Sequence, residues 1–131
     1  MALDIQVQKK DKGVYIVSLA GNLDSATFQE LEQKLKPILI TSTKALMLNL
    51  EKLTYISSMG VSVILKAKKA MEEQKSDFAM MNLQPQIKRV FEIINALPSV
   101  RVFENMEEAD AYLDEMQRRV LEERNKKDTK N

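Results

Sequence analysis

Two adjacent serines, Ser57 and Ser58, followed by Met59 and Gly60, come nearest in this chain to residues whose types and spacing could do chemistry. A serine hydroxyl becomes a nucleophile only beside a base, and the sequence holds no His and no Cys. Imidazole base catalysis, thiolate chemistry, disulfides and the usual zinc ligands are removed together. The bases that remain, Lys and the carboxylates, stand in no recognisable motif. G-x-S-x-G is absent, because Gly60 follows the serines and nothing small precedes them. A single Gly in SSMG is too little for a P-loop or a dinucleotide-binding turn, although any helix N-terminus attracts anions weakly. No catalytic, cofactor-binding or metal-ligating residue is assigned, and the chain is read as not being an enzyme.

The elements around the serines decide what they can do instead. Leu46–Leu50 is a nearly unbroken apolar run, the pattern of a parallel strand covered on both faces. After Glu51-Lys52 and Thr54-Tyr55-Ile56, the serines open a second segment that places Val61, Ile64, Leu65 and Lys68 on one side at helical spacing. This predicts a helix running to about Gln74, with Ser57 or Ser58 as its N-cap. A hydroxyl is therefore presented at the positive end of a helix. The plainer account of that hydroxyl is a cap, worth about 1 kcal/mol of helix stability.

Upstream, Leu3, Ile5 and Val7 alternate with polar residues, and Val14–Ala20 follows a Lys-rich turn that ends in Gly13, which predicts an antiparallel hairpin. In Gly21-Asn22-Leu23-Asp24-Ser25, Asp24 or Ser25 caps a helix with Phe28, Leu31, Leu35 and Ile38 or Leu39 on one stripe, ended near Pro37. Downstream, Asp77–Leu83 reads as a buried strand. Pro85 opens a helix striped by Ile87, Val90, Phe91 and Ile94, and Val100–Phe103 reads as a short edge strand. Asn105 with Glu108 resembles a capping box ahead of a last helix. Its seam of Met106, Ala109, Leu113, Met116 and Val120 is assigned to core packing in preference to a partner helix. Beyond Leu121 the chain is polar and is expected to fray or be disordered.

The expected architecture is an α/β single domain over residues 1–120 with a polar tail over 121–131. Its sheet is mixed and mostly parallel, with an initial antiparallel hairpin and about four helices. At 131 residues, 44% hydrophobic and 30% charged, the chain suffices for one domain with a real core. Twenty Lys and Arg against 19 Asp and Glu give no reason to expect a nucleic-acid partner. The N-terminus shows no signal peptide or lipidation motif, and no apolar run approaches the roughly 18 residues that span a bilayer. A cytoplasmic location and no membrane partner are expected.

The combination of NLEKLTYISSMGVSVIL with GNLDSAT before it and P-x-I-x-R-V-F after it resembles the STAS domain, and more narrowly the bacterial anti-sigma factor antagonists. The similarity covers about residues 3 to 116. It implies partner switching: the unphosphorylated antagonist binds an anti-sigma factor that is also a serine protein kinase, so that the sigma factor is released. Phosphorylation abolishes that binding, and a phosphoserine phosphatase is implied to reverse it. The family's acceptor is the first serine of a D-S-[ST]-G turn; matching its Gly to Gly60 places Ser58 on the acceptor, with Ser57 as runner-up in the position of the family's Asp. Met59 replaces the second hydroxyl residue, and Asp24 matches an acidic residue implicated in partner binding. Asp24, Ser57, Ser58, Met59 and Gly60 form the implied partner-binding set. The alternative is a STAS scaffold or transport-accessory protein that phosphorylation does not control and that assembles with itself.

Overall fold

The computed structural model describes residues 3–10, 12–40, 42–96 and 106–129. Alternation at the N-terminus produces the expected hairpin: β1 (Leu3–Lys9) pairs antiparallel with β2 (Val14–Leu23), with Ile5 opposite Leu19 and Val7 opposite Val17. Gly13 turns the chain at a positive φ of 83°, and its carbonyl accepts the Lys44 and Ala45 N–H groups that start the next strand. That strand is β3 (Ala45–Ile56), parallel to β2, and β4 (Asp77–Met81) is in turn parallel to β3. The sheet order is β1-β2-β3-β4. Between the strands lie α1 (Phe28–Leu35), α2 (Ser58–Glu73) and α3 (Pro85–Ala96), and α4 (Met106–Thr129) ends the described chain.

The helices pack on one face of the sheet. Val17 and Leu19 of β2 and Leu46, Leu48 and Leu50 of β3 join Leu31, Leu35, Val61, Ile64, Met71, Ile87, Val90 and Phe91 in one buried cluster. The intervening residues look the other way. Asp4, Gln6, Ser18, Ala20 and Asn49 line an open polar depression, so β3 is fully covered on one face only. The apolar run at Leu46–Leu50 therefore does not mark a strand buried on both faces: Met47 and Asn49 are half-buried on the second face. The strand expected over Asp77–Leu83 is likewise not a buried one, since Asp77 and Ala79 of β4 are exposed.

β3 runs straight through the polar pair Glu51-Lys52. Between Asn49 and Lys52, and again between Leu53 and Tyr55, it carries one residue more than β2 does, as a bulge requires. Each extra residue resets the alternation, which is why Leu50, Leu53 and Ile56 are all fully buried at a spacing of three. The second bulge delivers Ile56 inward and brings Ser57 to the end of the sheet.

α1 starts later than expected, because Asp24 to Thr27 form a turn before it and Thr27 occupies the N-cap. It ends before Pro37, as a proline in that place demands. α4 packs on α3 and inserts Leu113 into the core, which gives the centre of the predicted seam to this domain's own interior. It continues as helix past Leu121 to Thr129, beyond the expected end, with residues 121–125 exposed. Arg118 and Arg119 pair with Glu115, and Arg118 with Glu122, at helical spacing, supplying local support where no apolar stripe exists. The strand expected over Val100–Phe103 and the capping pair Asn105 and Glu108 lie outside the residues whose side chains and pairing are described. Among the described residues no helix is long and apolar enough to cross a membrane.

Candidate functional site

The parallel pairing of β2 with β3 brings the GNLD and SSMG stretches together. The Ser57 N–H donates to the Leu23 carbonyl, 2.9 Å, and fastens the start of α2 to the end of β2. Gly60 completes the junction: a Cβ there would stand 2.7 Å from both Leu23 Cγ and the Leu23 carbonyl oxygen and 2.9 Å from Ile56 Cγ1. Only a glycine lets α2 start this close to the sheet. Gly60 is thus buried and has a packing role at this junction.

Of the two candidate caps, Ser57 is the one that caps. Its backbone is extended, φ −99° and ψ 176°, and its Oγ accepts from the Gly60 N–H at 3.4 Å. At 4% exposure the Ser57 hydroxyl faces inward, which does not suit the substitute-acceptor or partner-contact role considered for it. Ser58, the first helical residue, is half-buried and stands at the rim of an open depression lined by Val61, Ser62, Leu65, Lys66 and Lys69. Met59 is half-buried beside it. With Ser57 capping, the Ser58 hydroxyl is left to bond elsewhere.

It bonds to α4. The Ser58 Oγ donates to Asp110 Oδ1 at 2.6 Å, and the Ser58 backbone N–H donates to the same oxygen at 2.9 Å. A carboxylate facing the first turn of a helix is favourably placed against the helix dipole. Seven residues on, the buried Gln117 amide closes the end of β3: its Oε1 accepts the Ile56 N–H at 3.0 Å, and its Nε2 donates to the Ile56 carbonyl at 2.8 Å. α4 therefore grips both sides of Ser57, at Ile56 and at Ser58.

Asp24 holds the neighbouring turn. Its carboxylate Oδ1 accepts from the Ala26 N–H at 2.9 Å, while its own N–H donates to Thr27 Oγ1, whose hydroxyl donates to the Asn22 carbonyl. Asp24 thus organises the turn ahead of α1 without being the cap of that helix, and its side chain stays half-exposed. Tyr55 reports how these groups converge. Burial, and then the negative charges of Asp114, Asp110 and Asp24, push its phenol up to about 12. The structure so brings Asp24 and Ser58 to one end of the sheet, and adds Asp110, Asp114 and Gln117 from α4, which the sequence reading did not single out. Gln117 carried one legible signal, a polar residue at core spacing from Leu113. For Asp110 no such signal exists: its partner is 52 residues away.

No group of His, Cys, Asp or Glu among the described residues is arranged to hold a metal ion. The arrangement presents a hydroxyl at a helix N-terminus, on the rim of a surface that pairs apolar Val61 and Leu65 with exposed Lys66 and Lys69.

The STAS domain family matches residues 5–109. An anti-sigma-B factor antagonist of Staphylococcus aureus (strain NCTC 8325 / PS 47) is 31% identical over 107 residues, which are 82% of this chain and 98% of that protein. Among solved structures, the Bacillus cell fate determinant SpoIIAA in its phosphorylated form superposes with a TM-score of 0.61 at 20% identity, over 70% of this chain and 83% of its own. An anti-sigma factor antagonist from Mycobacterium paratuberculosis superposes with a TM-score of 0.63 at 18% identity, over 86% of this chain and 95% of its own. At those identities the two structures speak for the shared fold.

Proposed function

The chain belongs to the STAS domain family, and on that premise we propose that it is an anti-sigma factor antagonist controlled by phosphorylation of Ser58. It is a binding module. Unphosphorylated, it captures an anti-sigma factor that is also a serine protein kinase, so that a sigma factor is released in the cytoplasm. The kinase brings the ATP, and a phosphoserine phosphatase returns the module to its binding state. A relative matched over 98% of its length is named as such an antagonist, and SpoIIAA is described in both an unphosphorylated and a phosphorylated form.

The observation that carries the residue assignment is the position of the Ser58 hydroxyl, in the first turn of α2 at the rim of an open surface, with Ser57 already serving as the cap. Phosphorylation there adds about −1.5 to −2 charges. The helix dipole offsets a part, roughly 0.3 to 1 kcal/mol, so the fold survives. Docking does not, because burying an uncompensated charge against a partner costs on the order of 3 to 5 kcal/mol, and each 1.4 kcal/mol is about tenfold in affinity. Asp24 adds repulsion from the neighbouring turn, and together with Met59 it belongs to the same contact surface.

Incubation with the cognate anti-sigma kinase and ATP tests the assignment. One phosphate is expected, mapped to Ser58 and absent from Ser58→Ala. Ser58→Asp is expected to bind the kinase about 100- to 1,000-fold more weakly than the parent chain. Labelling elsewhere, or parental affinity in Ser58→Asp, defeats the reading.

A further inference from the structure

Ser58 is held by α4 as well as by its own helix, and this bears on what its modification does to the domain. The hydroxyl and the backbone N–H of Ser58 both donate to one oxygen of Asp110, while two turns along α4 the buried Gln117 amide binds both backbone groups of Ile56. These grips differ in kind. Gln117 bonds only to main-chain atoms, and modification of Ser58 leaves them untouched. Asp110 depends on the group that is modified.

We infer that α4 is a latch on the switch: phosphorylation of Ser58 expels Asp110 and loosens the turn of α4 that carries it, while Gln117 stays bonded to Ile56 and serves as the pivot. The inference rests on the reading of Ser58 as phosphoacceptor and adds a conformational output to it. In the transfer, the Ser58 Oγ–H bond is lost and an Oγ–P bond forms to the γ-phosphorus of ATP. The bond from that phosphorus to the bridging oxygen of ADP breaks, ADP leaves, and the hydroxyl proton passes to solvent. The Oγ then has no hydrogen to donate to Asp110, and a dianion stands where two donors had met one carboxylate. Asp24 and Asp114, whose charges also reach Tyr55, lie on the same side and do nothing to relieve it.

Release is local because the remainder of α4 is fixed. Leu113 is 1% exposed within the core and Gln117 is 2% exposed, so α4 stays anchored from Leu113 onward and the loosening is confined to the turn that carries Asp110. A partner reading the switch therefore meets a changed edge between α2 and α4 in addition to a new charge.

The test is amide hydrogen exchange on the full chain carrying phosphoserine at position 58, installed during translation so that no kinase is needed. Exchange at the backbone amides from Asp110 to Leu113 is expected to rise at least about tenfold over the unmodified chain, with β3 unchanged. Asp110→Ala, unmodified, is expected to show the same local rise. Asp110→Lys in the phosphoserine chain is expected to restore protection, because an ammonium can pair with the phosphate. Equal exchange in the phosphorylated and unmodified chains overturns the latch, as does a failure of Asp110→Lys to restore protection. The parent reading fails separately. A phosphoserine chain whose α4 loosens but which still binds the anti-sigma factor at full affinity supports the latch and overturns control of binding; lost binding with a rigid α4 does the reverse.

Discussion

Tyr55 is the residue at which the local electrostatics can be measured without any partner. It lies in β3 two residues before Ser57, and both its partial burial and the charges of Asp114, Asp110 and Asp24 act on it. Both influences disfavour the phenolate, so the folded-state value stands near 12 against an ordinary 10.0. The sign for stability follows from proton binding. Above pH 10 the unfolded chain loses the Tyr55 proton while the folded chain keeps it, so the stabilisation present below pH 10 is lost as pH rises toward 12. Ultraviolet titration, with the Tyr55→Phe chain subtracted, is expected to show Tyr55 ionising above the ordinary 10.0, and Asp114→Asn is expected to lower its midpoint. A Tyr55 that titrates at its ordinary value would mean that the carboxylates do not converge there. The places of Ser58 and Asp24 were legible in the sequence because a helix start and a turn are written locally, although the caps themselves are Ser57 and Thr27. Asp110 and Asp114 were not, since only the folding of α4 against the β3–α2 junction gives them a place.

At the scale of elements, periodicity described well what it could describe: the hairpin, the three helices after β2, β3 and β4, and the stripe of α3 all stand where alternation or helical spacing put them. Two departures have physical causes. β3 crosses Glu51-Lys52 because bulges, which depend on the register with β2, reset its alternation. α1 begins at Phe28 because the Asp24–Thr27 hydrogen bonds make a separate turn that competes with helix. α4 carries the largest consequence of a residue that periodicity passes over. Gln117 supplies a donor and an acceptor to Ile56, which still pairs with Leu23 of β2 but lies well past Asn49, where the pairing of β3 with β4 stops. Gln117→Leu keeps the bulk of the side chain and removes both functions, leaving the Ile56 N–H and carbonyl buried without these partners. Each such loss costs about 1 to 3 kcal/mol, so urea unfolding is expected to show roughly 2 to 6 kcal/mol of destabilisation, against a small effect for the exposed Arg119→Ala. Equal stability of Gln117→Leu and the parent chain would show that α4 does not close this strand.

For the whole molecule, a net charge of +1 hides an uneven arrangement. Asp24, Asp110 and Asp114 gather around Tyr55, whereas Lys66 and Lys69 stand on the surface that continues from Ser58 along α2. A single added phosphate therefore changes a local balance far more than the total, which suits a module that must switch its partner without unfolding. The same view bears on how much of the chain the domain needs. The core cluster ends at Leu113, Gln117 makes the last buried hydrogen bonds along α4 among the described residues, and residues 121–125 are exposed. The helix past Val120 is tied to the preceding turn by the exposed Arg118–Glu122 pair, which water and salt screen. A chain truncated after Val120 is accordingly expected to unfold in urea within about 1 kcal/mol of the full chain and with the same slope against denaturant, since the surface exposed on unfolding hardly changes. A loss of several kcal/mol, or a shallower slope, would mean that the last turns of α4 cover part of the domain, and the boundary near residue 120 would have to move toward the C-terminus.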